Sequence, residues 1–136
     1  MACYLVLIKN GKILLSRRAN TGYQDGKYSM VAGHLENNET VYSATIREAK
    51  EEAGLVLHEE GLKIVHVMHR QDVDREYIDF FVSSKTKEEP RNLEPKKCDQ
   101  LSWFEIDNLP DSTISYIRLA IEKIKEGIIY SEYKVG

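Results

Sequence analysis

Apolar side chains at the start of the chain fall into two strand-length segments, residues 3–9 and 12–17, separated by the dipeptide Asn10-Gly11. Asn-Gly between two apolar segments is the strongest short-range signal for a β-hairpin, because both residues tolerate the positive φ angles of a type I′ turn. The pattern therefore predicts that two antiparallel strands open the fold.

The pattern becomes helical after a polar loop predicted over residues 19–27 and a short extended segment predicted over residues 28–32. Apolar residues then recur at the i, i+4, i+7 and i+11 spacing of one helix face, at Tyr42, Ile46, Ala49 and Ala53. With Asn38 as the candidate N-cap and Gly54 as the candidate C-terminal glycine, these positions predict a helix over residues 39–53.

The second half of the chain repeats the alternation of strands and a helix. Strands are predicted over residues 62–68, 77–83 and 101–105, with a charged, proline-containing loop over residues 85–97. A second amphipathic helix follows Pro110, and its buried face is predicted to hold Ile114, Ile117, Ala120, Ile121 and Ile124. This order predicts one α/β domain over residues 1–136, an α/β sandwich in which helices pack on a mixed sheet.

Composition adds limits to this picture. The 136 residues carry a formal net charge of −3, and this slight acidity argues against a nucleic-acid backbone as the main partner. No apolar segment approaches the roughly 18 residues of a membrane span, so neither an anchor nor a signal peptide is expected. Cys3 and Cys98 lie far apart without CxxC spacing, which favours a reduced, cytoplasmic protein. A homodimer through an outer strand or the last helix is compatible with the sequence.

Three acidic residues of the first predicted helix carry the candidate chemistry. Glu48, Glu51 and Glu52 stand at i, i+3 and i+4, so they share one face, turned away from the apolar stripe. Like charges at this spacing destabilise a helix slightly unless a cation neutralises them. An acidic, solvated helix face is the common explanation of such a triplet, whereas carboxylates that converge would suit a hard divalent ion better than zinc.

The register of the neighbouring residues favours the second explanation. Residues 33–55 resemble the Nudix box, G-x5-E-x7-R-E-U-x-E-E-x-G-U, in which U is aliphatic. The seven fixed letters are present as Gly33, Glu39, Arg47, Glu48, Glu51, Glu52 and Gly54. Ala49 departs from the pattern in degree, since a larger aliphatic residue is more usual there. The flanking elements resemble Nudix order as well, which implies a Nudix-type α/β/α sandwich with a mixed β-sheet and two main helices.

The resemblance implies a loop-helix-loop segment that binds a divalent cation, Mg²⁺ or alternatively Mn²⁺, and hydrolyses a diphosphate linked to another moiety. Matched letter by letter, Glu48 and Glu52 would hold the metal, and a backbone carbonyl near Gly33 would complete its coordination. Glu51 would be a further ligand or would orient the attacking water. Arg47 would brace the glutamates by ion pairing. The expected catalytic residues are therefore Glu48, Glu51 and Arg47.

The candidate substrate-binding residues are Tyr23, His34, Arg17 and Glu39. Tyr23 lies in the polar loop, where an aromatic ring can stack on a base. His34 and either Arg17 or Arg18 could reach phosphates, although an exposed turn and a solvated strand end explain them equally well. Glu39 is also expected to support the carboxylate cluster from the start of the helix.

Several further residues stay open as candidates. Glu94 and Asp99 would supply an extra acidic ligand or a general base outside the box, or else are surface charges. The aromatic residues Tyr28 and Trp103 border the expected cleft, and Trp103 is favoured as a core residue. Two histidines, His66 and His69, are three apart on a predicted strand and so face opposite sides, which favours packing over a ligand pair.

The expected activity is hydrolysis of a nucleoside triphosphate or a related nucleoside diphosphate derivative, a small-molecule substrate. Dinucleoside polyphosphates, nucleotide sugars and dinucleotides are the alternatives within the class. A Nudix module that binds a nucleotide without hydrolysing it, as a sensor, is the alternative of another class. Fold and box are shared among many substrates and do not choose between them.

Overall fold

Nine strands and two main helices make up residues 1–135, the part of the chain that the computed structural model describes. The strands are β1 (Ala2–Val6), β2 (Ile8–Lys9), β3 (Lys12–Arg18), β4 (Tyr28–Ser29), β5 (Ala32–His34), β6 (Leu62–Gln71), β7 (Glu76–Ser84), β8 (Cys98–Glu105) and β9 (Tyr130–Lys134). The helices are α1 (Val41–Ala53) and α2 (Ser115–Lys125), and a short 3-10 turn spans Glu59–Gly61. The predicted α/β class, with a mixed sheet and two helices, is confirmed.

The strands form two sheets. The larger has the order β5-β1-β7-β6-β9 and is mixed, because β1 runs parallel to β7 and β6 parallel to β9 while the other pairs are antiparallel. In the smaller sheet, β3 pairs with β8 along one edge and with β2 and β4 along the other. The prediction that a homodimer forms through an outer strand concerns β5 and β9, the edges of the larger sheet among the described residues.

The predicted opening hairpin is only partly correct. Asn10 and Gly11, with φ angles of 52° and 76°, form the turn between β2 and β3 as expected. Most of the predicted first strand is β1, however, which leaves the hairpin and pairs with β5 and β7 in the other sheet. The physical reason is burial: every residue of β1 is buried, and a strand that is apolar on both faces is stable inside a sheet rather than in a two-stranded ribbon.

Helices cover the larger sheet on both sides. Tyr4 and Val6 of β1 belong to the cluster that packs against α2, whereas Leu5 packs in the cluster that includes Ala49 and Ala53 of α1. Alternate residues of one strand therefore contact opposite helices, as the period of two requires. This α/β/α arrangement fixes α1 against β1 and β5 and so positions the segment over residues 33–55.

Thr40, and not Asn38 as predicted, caps α1. The Thr40 hydroxyl accepts a hydrogen bond from the Ser43 N–H at 3.1 Å, and the Ser43 hydroxyl accepts one from the Thr40 N–H at 2.9 Å. Asn38 instead occupies a left-handed turn with φ 68°. Gly54 ends the helix in the left-handed conformation with φ 66°, as expected of a C-terminal glycine.

The cap leads to a stability prediction. We expect Thr40→Ala to lower the free energy of unfolding by about 1 kcal/mol, because the Ser43 N–H loses its partner. Asn38→Gly should leave stability unchanged or raise it slightly, because glycine adopts a positive φ without strain. Urea denaturation of both variants measures the difference, and an equal loss in the two would contradict the assignment of the cap to Thr40.

Strand β9 was not predicted, and β6 extends beyond its predicted end. The buried His66 joins the two strands: one ring nitrogen lies 2.7 Å from the Ile128 carbonyl oxygen and the other 2.7 Å from the Ser131 hydroxyl. Burial is the main reason that the pKa of His66 is lowered. His69 pairs with Glu76 at the surface. The two histidines thus serve packing and not a shared site.

Among residues 1–135, no helix is both long and apolar enough to cross a bilayer.

Candidate active site

The cleft beside α1 has a volume of about 810 Å³ and contains two groups of functional side chains. The first is a carboxylate group formed by Glu48, Glu51, Glu52 and Glu94. The second, here called the tyrosine-arginine wall, consists of Tyr4, Tyr23, Arg70, Tyr77 and Tyr116. Segment 33–55 supplies most of the first group, and strands of the larger sheet together with α2 supply most of the second.

Arg47 holds the carboxylate group together. Its guanidinium donates to both oxygens of Glu39, at 2.7 and 3.0 Å, and to Oε1 of Glu48 at 2.7 Å. It also donates to Oε2 of Glu51 at 3.3 Å and to the carbonyl oxygen of His34 at 3.2 Å. A planar guanidinium with five donors can make all of these bonds at once, which an ammonium group cannot.

These ion pairs explain the titration of Arg47 and Glu39. The hydrogen bonds to Glu39 are the largest cause of the raised pKa of Arg47, with Glu48 adding to the effect. Arg47 in turn lowers the pKa of Glu39, helped by the N–H of Glu36. Both Glu39 oxygens bind Arg47, and Glu39 is not among the residues that line the cleft, so the structure places it as a support of the cluster and does not bring it to the expected substrate position.

Glu52 is the anomaly of the cleft. Its Oε2 is the one buried side-chain oxygen or nitrogen within residues 1–135 that has no hydrogen-bond partner. Burial and then the adjacent carboxylates of Glu48 and Glu94 raise the pKa of Glu52 well above the usual range. A buried carboxylate oxygen without a donor, next to two other carboxylates, is an arrangement that a bound cation would stabilise.

Gly33 leaves space for the Glu48 side chain. A Cβ atom at position 33 would lie only 2.1 Å from Oε1 and 2.2 Å from Cδ of Glu48. The Glu48 carboxylate is held against this backbone by Arg47 and is 14% exposed, so any larger residue at position 33 would displace it. The glycine is therefore required by close approach of a side chain, and not by its own φ angle.

The expected convergence of three glutamates on one point is wrong in this geometry. Glu51 is 53% exposed and turns towards Arg47, and within residues 1–135 no three acidic, histidine or cysteine side chains are grouped closely enough to hold a metal ion. Two carboxylates nevertheless fit Mg²⁺, which proteins usually bind through one or two carboxylates while water and substrate phosphates complete the shell. Glu48 and Glu52 meet that requirement.

The loop over residues 85–97 brings a further carboxylate to the cluster. The N–H of Leu93 donates to the carbonyl oxygen of Glu52 at 3.1 Å, which fixes the loop to the end of α1. Glu94 lines the cleft and its charge acts on Glu52, whereas Asp99 is bound to Arg17 at 2.7 Å and lies outside the cleft. Of the two candidates for an extra acidic ligand, the structure brings only Glu94 to the site.

The remaining candidates divide in the same way. Tyr23 and His34 line the cleft, and Arg18 lines it instead of the predicted Arg17. Arg17 is held by Asp99 because successive residues of β3 point to opposite faces of its sheet. The other two aromatic candidates lie away from the cleft: the buried Tyr28 packs edge-on against Phe104, and Trp103 packs against the core beside α1.

The sequence model of the NUDIX domain matches residues 1–122. The chain belongs to the Nudix family. A solved relative, the MutT NUDIX hydrolase from Burkholderia pseudomallei, superposes with a TM-score of 0.80 at 27% identity, over 89% of this chain and 94% of that chain. The predicted family and the fold that it implied are confirmed.

Two curated relatives of this Nudix domain carry different names. The NAD-capped RNA hydrolase NudC of Stutzerimonas stutzeri is 28% identical, over 78% of this chain and 37% of that protein. The oxidized purine nucleoside triphosphate hydrolase of Danio rerio is 28% identical, over 79% of this chain and 67% of that protein. The chain thus spans little more than a third of the first relative, and both relatives are hydrolases by name.

Apart from Tyr23, the tyrosine-arginine wall of this Nudix domain was missed in the sequence. Arg70 of β6 forms a buried ion pair with Asp79 of β7 at 2.8 Å, and the rings of Tyr77 and Tyr116 each lie 4.1 Å from the guanidinium carbon. The sequence signal for the ion pair was one basic residue, Arg70, and one acidic residue, Asp79, each in or next to an apolar segment of strand length. Only the antiparallel register of β6 and β7 shows that the two charges meet.

Proposed function

We propose that this Nudix domain hydrolyses a diphosphate linkage in a nucleoside triphosphate or a related nucleoside diphosphate derivative, with Mg²⁺ or alternatively Mn²⁺ as cofactor. The observation that carries the proposal is the unpartnered, buried Oε2 of Glu52 beside Glu48, in a cleft that also contains aromatic side chains. A cation bound between these carboxylates and the phosphates of a nucleotide would give Oε2 of Glu52 its partner. The base of the same nucleotide would stack on the aromatic side chains.

In this proposal Glu48 and Glu52 would hold the cation, whose chemistry would be to neutralise the charge of the diphosphate and to make water a better nucleophile by lowering its pKa. Arg47 keeps Glu48 in place and leaves its second oxygen free, since only Oε1 is bound to the guanidinium. Glu51 and Glu94 are the two candidates to accept a proton from the attacking water, because both line the cleft beside the cluster. The basic residues Arg18 and Lys97 line the same cleft and can bind phosphate oxygens.

A screen of nucleotides with and without Mg²⁺ tests the proposal. Release of phosphate or pyrophosphate from nucleoside triphosphates that depends on Mg²⁺ is the expected result. Faster cleavage of dinucleoside polyphosphates, nucleotide sugars or dinucleotides would move the activity to those substrates. Binding without cleavage would indicate a sensor. A capped RNA belongs in the screen, because one relative is named for that substrate, although the acidic net charge predicts no nucleic-acid partner.

Tyr23 provides a specific prediction on substrate binding. The ring lines the cleft, is 42% exposed, and lies 5.5 Å from the Arg18 guanidinium on one side. We expect Tyr23→Ala to raise KM for nucleotides by an amount equivalent to roughly 1 to 3 kcal/mol, because a stacked base would lose its platform, and to leave the Mg²⁺ dependence unchanged. Tyr23→Phe should keep KM close to that of the original protein. Equal KM values for the alanine variant and the original protein would show that Tyr23 does not contact the base.

A further inference from the structure

The guanidinium of Arg70 presents a single free edge to the cleft. Nε donates to Oδ2 of Asp79 at 2.8 Å and Nη2 donates to Oδ1 at 3.4 Å. Nη1 makes no hydrogen bond to any of residues 1–135. Because the one buried polar atom without a partner in these residues is Oε2 of Glu52, Nη1 is not buried, and the Arg70 side chain lines the cleft. Nη1 therefore reaches the cleft surface with its donors unused.

Two tyrosine rings pack against the same guanidinium. The centroids of the Tyr77 and Tyr116 rings each lie 4.1 Å from the guanidinium carbon. Asp79 is completely buried, and the Arg70 side chain is 7% exposed. Asp79 occupies Nε and Nη2, so Nη1 is the donor left to a ligand, and the position of its hydrogen bond is fixed before the ligand arrives.

The charge around Arg70 indicates which kind of ligand group accepts the hydrogen bond of Nη1. Asp79 neutralises Arg70, so this pair carries no net positive charge to attract a phosphate, whereas the half-buried Arg18 and the exposed Lys97 line the same cleft. A guanidinium donates hydrogen bonds and cannot accept them. An uncharged, planar acceptor fits this position best, since the tyrosine rings beside it offer surfaces for a flat ring.

We propose that Arg70 is a specificity-determining residue that selects nucleotides whose base carries a carbonyl oxygen over those with an amino group at the same position. This inference rests on the proposed function. A carbonyl oxygen of hypoxanthine, guanine or uracil accepts the N–H of Nη1. The amino group of adenine or cytosine would direct its own N–H groups at that donor, which leaves both unpaired and costs binding free energy.

Two pairs of substrates test the inference in the original protein. ITP and ATP differ at C6, and UTP and CTP differ at C4, by a carbonyl oxygen against an amino group. We expect kcat/KM to be about tenfold or more higher for ITP than for ATP, and for UTP than for CTP. Equal values or the opposite preference would overturn the inference and leave the proposed function intact.

A double variant assigns the preference to Arg70. Arg70→Gln with Asp79→Asn removes both buried charges together, and the glutamine amide can donate to a carbonyl oxygen or accept from an amino group. The ITP to ATP ratio should fall towards one. His66→Gln is the matched control, because it weakens a buried polar contact outside the cleft and should lower the melting temperature without changing the ratio. A double variant that folds and keeps the original ratio would overturn the inference.

The remaining outcomes separate the two proposals. If the double variant does not fold, the substrate ratios of the original protein decide alone. If none of the four nucleotides is hydrolysed, the proposed function fails, and the same pairs are compared by Kd in titration calorimetry. Tighter binding of ITP than ATP there would support the inference on its own, whereas equal or absent binding would overturn it.

Discussion

Glu52→Gln is expected to lower kcat/KM by about 100-fold or more while the protein stays folded. The substitution keeps the shape of the side chain but removes the charge with which Glu52 would hold a cation. Stability should be unchanged or higher. A carboxyl whose pKa is raised by folding destabilises the folded state once the pH exceeds its unfolded pKa, and Glu52, which lies buried beside Glu48 and Glu94, is such a group at neutral pH.

The measurement combines steady-state hydrolysis of the best nucleotide with thermal unfolding. Glu59→Gln is the matched control. Glu59 is an exposed residue of the 3-10 turn, so the substitution makes the same chemical change outside the cleft. Near-normal turnover of a folded Glu52→Gln protein would show that Glu52 does not take part in the reaction. Because Oε2 of Glu52 has no hydrogen-bond partner, the substitution breaks no bond at that atom, and loss of folding in this variant would contradict that assignment.

Arg47→Ala is expected to lower activity and stability together. The substitution leaves the half-buried carboxylates of Glu39 and Glu48 without their common donor, which should cost about 2 to 3 kcal/mol of unfolding free energy. It also frees Glu48 from the position that Gly33 leaves open for it, so we expect kcat to fall by at least about tenfold. Both effects have one physical origin, the set of hydrogen bonds made by a single guanidinium.

Arg47→Lys separates charge from geometry. Lysine keeps the positive charge but cannot pair with both Glu39 oxygens in the plane of a guanidinium, so its activity and melting temperature should lie between those of the original protein and of Arg47→Ala. Lys50→Ala, an exposed change on the same helix, should alter neither quantity. If Arg47→Ala raised KM alone and left the melting temperature unchanged, Arg47 would be a phosphate contact and not a brace.

The contacts of Arg47 also show where local sequence information was sufficient. The brace, its partners Glu48 and Glu51, and the glycine at position 33 all lie within one segment of residues 33–55. The helix repeat places Glu48, Glu51 and Glu52 on one face, and the bracing role of Arg47 was implied by the resemblance to the Nudix box. The end of α1 at Gly54 was predictable for the same local reason, since glycine favours the left-handed cap.

Capping of α1 shows the limit of that local information. Asn38 and Thr40 are both good capping residues, and asparagine ranks above threonine at an N-cap. The choice falls on Thr40 because Asn38 is used in the turn that places Glu39 beside Arg47. The helix begins where the Thr40 and Ser43 side chains can bind each other's N–H groups, which the single-residue ranking does not include.

The family, the α/β class and the shared helix of Arg47, Glu48, Glu51 and Glu52 follow from the sequence alone, because motif spacing and helix period encode them. Tertiary structure decided the rest: that β1 leaves its hairpin, that Glu94 and not Asp99 joins the cleft, and that Arg70 meets Asp79 beside two tyrosines. The physical reason is the same in each case. Strand pairing brings together residues distant in sequence, and a shift of one residue in register reverses which side chains face the cleft, so pattern alone does not specify these contacts.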